Sequence, residues 1–402
     1  MDWQTPSDSA PSAFISDALV ESLRGTPPVT GAWRDGDALG NRKFAQLGPM
    51  EFETGGSLPH VRLAYEVFGE LNEAKDNAIL VFHALTGDSH AFGPATAGHQ
   101  TSGWWPDIIG PGCALDTENF AVIVPNVLGA CQGSTGPATV SPNGHEWGSR
   151  FPYLTIRDQV QATALLATQL GIDTFHSVIG GSMGGMHALE WAIEFPNATE
   201  RLALIATCAV TSADQVGINS VQLETIQVDP NFHGGDYYDE AEGPNRGLAL
   251  ARRIALLSYR SPNELNERFG RSWQGQRSPL GDAGRFAVES YLDFHGNKFT
   301  RRFDANSYIC LVQAMNSHDV TRGRGSLEEV LGALTMPTLV LGIDSDRLFP
   351  LVQQHTLARH IPGTLDGAKE SVVVTSPYGH DGFLIESEAV GSALARLLAA
   401  YS

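Results

Sequence analysis

Ser177-Val178-Ile179-Gly180-Gly181-Ser182-Met183-Gly184-Gly185 passes from an apolar, β-branched run through paired glycines into a helical pattern that stops near Pro196. That succession is the pattern of a sharp strand-to-helix turn, whose tip is strained and whose crowded neighbours must be small. Upstream, residues 61–65, 78–82 and 120–124 read as strands, and a helix is predicted over 156–170, stopped by Gly171. Downstream, strand texture recurs at 202–205, 337–341 and 371–374. These runs are continuously apolar, as in strands buried on both faces, and they alternate with amphipathic helices. The predicted class is therefore α/β, a mostly parallel sheet flanked by helices. Between about 210 and 330 the texture turns to helix and loop, with charged patches at 236–242 and Arg252-Arg253. This segment is expected to be a helical lid insertion over the site, which leaves 46–209 and 331–402 as the core. Residues 1–45, rich in Ser, Pro, Gly and charge, read as a flexible N-terminal extension.

Gly180-Gly181-Ser182-Met183-Gly184 matches Gly-x-Ser-x-Gly with a strand before it and a helix after. The plainer reading is a glycine turn that merely packs helix on strand; a phosphate cradle is disfavoured because no Lys follows in the Walker arrangement. As a nucleophile, Ser182 needs a base to take its proton. In the α/β-hydrolase fold the partners follow in the order Ser, acid, His, each in a loop after a later strand. Asp344-Ser345-Asp346 follows one such strand and Tyr378-Gly379-His380-Asp381 the next. His380 is thus the candidate base. Asp346, in the loop proper, is the preferred acid, with Asp344 the alternative. An oxyanion hole needs two backbone N–H groups. Met183, next to the nucleophile, is one candidate, and Leu85, in the loop His83-Ala84-Leu85-Thr86-Gly87-Asp88, is the other.

Composition narrows the rest. With 42% hydrophobic and 18% charged residues in 402, the chain reads as an ordinary soluble globular protein. No apolar stretch approaches the roughly 20 residues that cross a bilayer, and no basic region with an apolar core opens the chain, so a cytoplasmic location is expected. A formal charge of −19 disfavours nucleic acid and anionic membranes as partners. The four cysteines form no Cys-x-x-Cys pair and read as reduced thiols; the 13 histidines show no His-Glu-x-x-His and no zinc-like cluster. Neither a catalytic metal nor a permanently bound cofactor is expected.

Several blocks together resemble the homoserine O-acetyltransferase family: His83-Ala84-Leu85-Thr86-Gly87-Asp88-Ser89-His90, Asn126-Val127-Leu128-Gly129-Ala130-Cys131-Gln132-Gly133, Arg157-Asp158-Gln159, Gly181-Ser182-Met183-Gly184-Gly185, Asn316-Ser317-His318-Asp319 and Gly379-His380-Asp381-Gly382-Phe383. The resemblance runs from about 45 to the end. It implies transfer of acetyl from acetyl-CoA, as co-substrate, to the hydroxyl of L-homoserine in methionine biosynthesis, and a homodimer. By the same resemblance Ser182 carries the acyl group, Asp346 and His380 complete the triad, and Asp381 and Thr86 bind substrate. An Arg that the family is expected to hold just after the next strand falls, by alignment through Ala213-Asp214-Gln215, on Val210; Arg260 is the candidate substitute. Three other readings stand beside this one: an L-serine or succinyl-CoA transferase, an esterase with the same triad, and a catalytically dead binding module. The last needs a broken triad position, and none is broken.

Overall fold

In the computed structural model, which describes residues 23–367 and 369–399, the apolar runs form one eight-stranded sheet. Its strands are β1 (Lys43–Glu51), β2 (Ser57–Phe68), β3 (Ala78–Phe82), β4 (Ala121–Pro125), β5 (Ser177–Gly181), β6 (Leu202–Ile205), β7 (Thr338–Ile343) and β8 (Val372–Val374). They lie in the order β1-β2-β4-β3-β5-β6-β7-β8, with β2 antiparallel to both of its neighbours and the pairs from β4 to β8 all parallel. Successive side chains of a strand face opposite ways, so each continuous run feeds two cores. Leu80, Val178, Leu202, Leu204 and Val340 join one buried cluster with Val160, Met186 and Leu189 of the helices α1 (Ile156–Leu170) and α2 (Met183–Glu194). Their neighbours Ile79, Ile179, Ala203, Ile205 and Leu341 join the other, with Leu394 and Leu397 of the C-terminal helix Ser387–Ala399. Helix α1 occupies the range its pattern predicted. Thr155 and Asp158 close a capping box at its start, and Gly171 ends it at φ 65°.

Between β6 and β7 run α3 (Ala213–Gln227), α4 (Asn245–Tyr259), α5 (Pro262–Phe269), α6 (Ala287–Thr300), α7 (Ala305–Asn316) and α8 (Leu327–Gly332), with a small antiparallel pair, Trp273–Gln274 on Arg285–Phe286. Ile226, Leu248, Phe299 and Leu311 of these helices share the cluster that covers one face of the sheet. The insertion is therefore built onto the core.

The N-terminal segment differs from its compositional reading. Gly31 N–H donates to Phe303 O (3.1 Å), Thr30 Oγ1 to Asp304 Oδ1 (2.8 Å) and Trp33 N–H to Cys131 O (2.9 Å). The buried Arg42 donates to Gln132 O and Oε1, and β1 begins at Lys43. A strap fixed by backbone bonds to distant segments has no periodicity for composition to register. Residues 1–22 of the expected extension lie outside the described residues.

Candidate active site

The tip of the strand-to-helix turn is Ser182, buried, at φ 57° and ψ −125°. Such a backbone is costly for a residue with a side chain, by about 1–3 kcal/mol, and persists only where surroundings enforce it. Here Ser182 N–H donates to Ile205 O (2.9 Å) and its carbonyl accepts from Thr207 Oγ1 (2.9 Å). The glycines follow from crowding. A Cβ on Gly180 would overlap Gly184 O, one on Gly184 would overlap Phe82 O, and those on Gly181 and Gly185 would meet Phe383 and Thr207. The nucleophile candidate is thereby presented at the carboxyl end of β5, where clefts form in open parallel sheets.

The loops after β7 and β8 converge on it. His380 Nε2 lies 2.8 Å from Ser182 Oγ, and Asp346 Oδ2 lies 2.6 Å from His380 Nδ1. All three side chains are buried, and Phe349, Phe383 and Tyr259 enclose the imidazole with ring centroids at 5.1, 5.4 and 5.7 Å. Asp346 Oδ1 accepts from the Leu348 and Phe349 N–H groups (2.8 and 2.9 Å), which leaves Oδ2 to face the histidine. Burial alone would lower the His380 pKa, but the Asp346 charge and hydrogen bond, with the Asp381 charge, outweigh it, so the net shift is upward from 6.5. The alternative acid, Asp344, accepts from Ser376 N–H and ties the two loops together without reaching His380. With Nδ1–H directed at the carboxylate, Nε2 offers its lone pair to the hydroxyl. This is the geometry of a base-activated nucleophile.

Leu85 lies in a turn closed by Gly87 N–H donating to Ala84 O (2.8 Å). Its base is anchored by neutral, buried His83, which contacts Ala84 O through Nδ1 and accepts from Val127 N–H at Nε2 (3.1 Å). Neither the Leu85 nor the Met183 N–H donates a hydrogen bond among the described residues. Both remain available to a developing oxyanion.

A cavity of about 240 Å³ opens beside this turn, lined by Ala84, Thr86, Trp104, Arg252, Lys298 and Arg302 among others. None of its lining residues is acidic, in a chain of net charge −19, so it suits an anionic ligand. The sequence reading missed Arg252. From α4 its guanidinium lies 3.5 Å from Thr86 Oγ1 and over the Tyr259 and Phe299 rings, and it pairs with no carboxylate among the described residues. Arg260 turns instead toward Asp381, Nε to Oδ2 at 3.2 Å, in poor alignment: that buried Nε has no hydrogen bond among the described residues. Val210 is 40% exposed and bridges to Asp319 in the backbone.

Behind the turn, Glu66, His90 and His99 meet although no local spacing announces them. Imidazole lone pairs lie in the ring plane, and these two rings stack at 3.8 Å and 9°, so their nitrogens cannot converge on one ion. The group is better described as a buried ion pair. His90 Nδ1 meets Glu66 Oε2 at 3.0 Å while Nε2 faces Pro94 O; burial opposes its charge, but Glu66 raises its pKa.

Comparison with known proteins agrees with this geometry. A family model described as alpha/beta hydrolase fold matches residues 77–387. A homoserine O-acetyltransferase of Leifsonia xyli subsp. xyli is 61% identical over the whole of both chains. One from Thermobifida fusca is 54% identical, covering 93% of this chain and 98% of its own. Among solved structures, a homoserine O-acetyltransferase from Bacillus anthracis superposes with TM-score 0.80 at 28% identity, over 89% of this chain and 97% of that one. Esterase E22 also gives 0.80, at 26% identity, over 89% and 99%.

Proposed function

Because the chain belongs to the homoserine O-acetyltransferase family of α/β-hydrolase-fold enzymes, we propose that it moves acetyl from acetyl-CoA to the L-homoserine hydroxyl through an acetyl-Ser182 intermediate. The observation that carries this reading is the line Ser182 Oγ, His380 Nε2, His380 Nδ1, Asp346 Oδ2, closed by contacts of 2.8 and 2.6 Å. His380 takes the hydroxyl proton as Ser182 Oγ attacks the thioester carbonyl. Leu85 and Met183 N–H groups receive the oxyanion, which is worth about 3 kcal/mol per donor in comparable sites. Collapse breaks the carbon–sulfur bond, and His380 returns the proton to the departing CoA sulfur. The homoserine hydroxyl then gives its proton to His380 and attacks the acetyl carbon; collapse breaks the bond to Ser182 Oγ, and His380 returns the proton to that oxygen. Asp346 fixes the imidazole tautomer and offsets its transient charge. No step needs a resident metal or cofactor.

Arg252 and Thr86 suit the homoserine carboxylate and Asp381 its ammonium, while Lys298 at the same cavity suits the phosphates of a CoA donor. Replacing Arg252 with methionine is expected to raise the KM for L-homoserine about 10- to 100-fold, the scale of a charge-assisted hydrogen bond. Acetylation of Ser182 by a small neutral ester should change little. Stopped-flow acylation measured beside steady-state kinetics separates the two.

An esterase is the second reading, because esterase E22 superposes as well as the transferase does. What separates them is competition with water at roughly 55 M, which an oriented acceptor overcomes with an effective molarity of about 10⁵ M or more. Mass spectrometry decides: acetyl-CoA alone should leave acetyl on Ser182, and L-homoserine should discharge it as O-acetylhomoserine. Release as free acetate at the same rate with and without homoserine would establish the esterase.

A further inference from the structure

We propose that Arg302, a residue of the insertion, is a positioning residue that holds the oxyanion turn in its working geometry. The inference rests on the acyl-serine reading above. Arg302 follows α6, and its own backbone is pinned where Gln132 Nε2 donates to its carbonyl (2.7 Å). From there the guanidinium straddles the turn. Nη1 donates to Thr86 O (2.7 Å) and Nη2 to Asp88 Oδ2 (2.9 Å). The other carboxylate oxygen of Asp88 accepts from His90 N–H (2.8 Å), and Asp88 O accepts from Trp104 Nε1 (2.9 Å).

The grip reaches the Leu85 N–H through two consecutive peptide planes. The Leu85 N–H shares its peptide plane with Ala84 O, which is held by the Gly87 N–H and contacted by His83 Nδ1, and that Gly87 N–H in turn shares its plane with Thr86 O, the atom Arg302 grips. Fixing Thr86 O fixes the plane after it, and the Asp88 carboxylate fixes the exit of the loop. A planar fork can satisfy both acceptors at once, whereas an ammonium has no such geometry. Asp88 is buried, which opposes ionisation, yet Arg302, the His90 N–H and Arg42 together bring its pKa below the usual carboxylate value, so the clamp is charged. Misplacing a catalytic group by about 1 Å can cost about 10²-fold in rate. The insertion would thus complete the oxyanion hole as well as cover the site.

The test uses the full chain and p-nitrophenyl acetate, a neutral donor with no phosphates for the cationic cavity to recognise. The burst of p-nitrophenolate and the acetyl label on Ser182 give the acylation rate. Arg302→Lys and the double variant Arg302→Met/Asp88→Asn, which leaves no unpaired carboxylate, are compared with the parent by acylation rate and melting temperature. Acylation is expected to fall about 10²-fold in both. Inhibition by n-butylboronic acid, whose tetrahedral serine adduct occupies the oxyanion hole, should weaken by a similar factor. The acid limb of the pH profile should stay in place, because His380 is untouched. Acylation within threefold of the parent in either folded variant overturns the assignment, as does lost acylation with unchanged boronate affinity. A parent enzyme that never acquires acetyl on Ser182 would instead refute the acyl-serine reading itself.

Discussion

With Ser182 replaced by alanine, turnover of acetyl-CoA and L-homoserine is expected to drop on the order of 10⁶-fold, the loss seen when the nucleophile of such a unit is removed. The acetyl label should vanish from the protein. The hydroxyl is the group that His380 Nε2 meets at 2.8 Å. The fold should hardly notice: the Ser182 side chain caps nothing at the start of α2, and the backbone bonds to Ile205 and Thr207 survive the change. Alanine occupies the same strained φ of 57°. An unchanged melting temperature together with lost turnover therefore isolates the chemistry. Retention of more than about a hundredth of the parent rate would end the acyl-serine scheme, since pure binding and oxyanion stabilisation supply only a small remainder.

The parts of this site that could be read in advance share one property. Ser182, Asp346 and His380 each follow the carboxyl end of a strand; β5 and β7, buried on both faces, announce themselves by continuous apolar runs, and the edge strand β8 by its three valines. The sheet gives their loops a common edge, so chain order alone predicts convergence over separations as large as the 198 residues between Ser182 and His380. Choosing between Asp344 and Asp346 was a matter of two residues. The structure separates them by what their oxygens meet, Ser376 N–H for one and His380 for the other. Arg252 and Arg302 lacked any such signal. They belong to an insertion whose helices dock through apolar faces shared with the core, and nothing in a charged helix position says which cavity it will overlook. Val210, the position aligned with the family's Arg, ends in a backbone bridge to Asp319 and is 40% exposed. The strap from Thr30 to Arg42 and the Glu66–His90–His99 group were hidden for a related reason. Each depends on partners far along the chain rather than on a local period.

Asparagine at position 346 is the most informative of the conservative changes, and its expected cost is about 10⁴-fold in kcat/KM. The carboxylate oxygen Oδ1 is already committed to the Leu348 and Phe349 N–H groups. An amide must keep its oxygen there, so its NH₂ faces His380 Nδ1. That nitrogen must then accept, which moves the imidazole proton to Nε2, where it confronts Ser182 Oγ with a donor in place of a lone pair. Shape and burial are preserved while the base is reversed. The pH profile carries a second signature. In the parent, burial lowers the His380 pKa but Asp346, with a smaller contribution from Asp381, raises it further, giving a net value above 6.5. Since the neutral imidazole is the working form, kcat/KM should rise with pH through a midpoint raised from the ordinary 6.5. Asparagine removes the dominant raising influence and leaves the burial, so the residual activity should titrate at lower pH than the parent's. Measuring kcat/KM between pH 5 and 9, roughly the span over which imidazoles titrate, tests both claims. A limb that stays put or moves upward would mean that Asp346 does not govern the charge on His380.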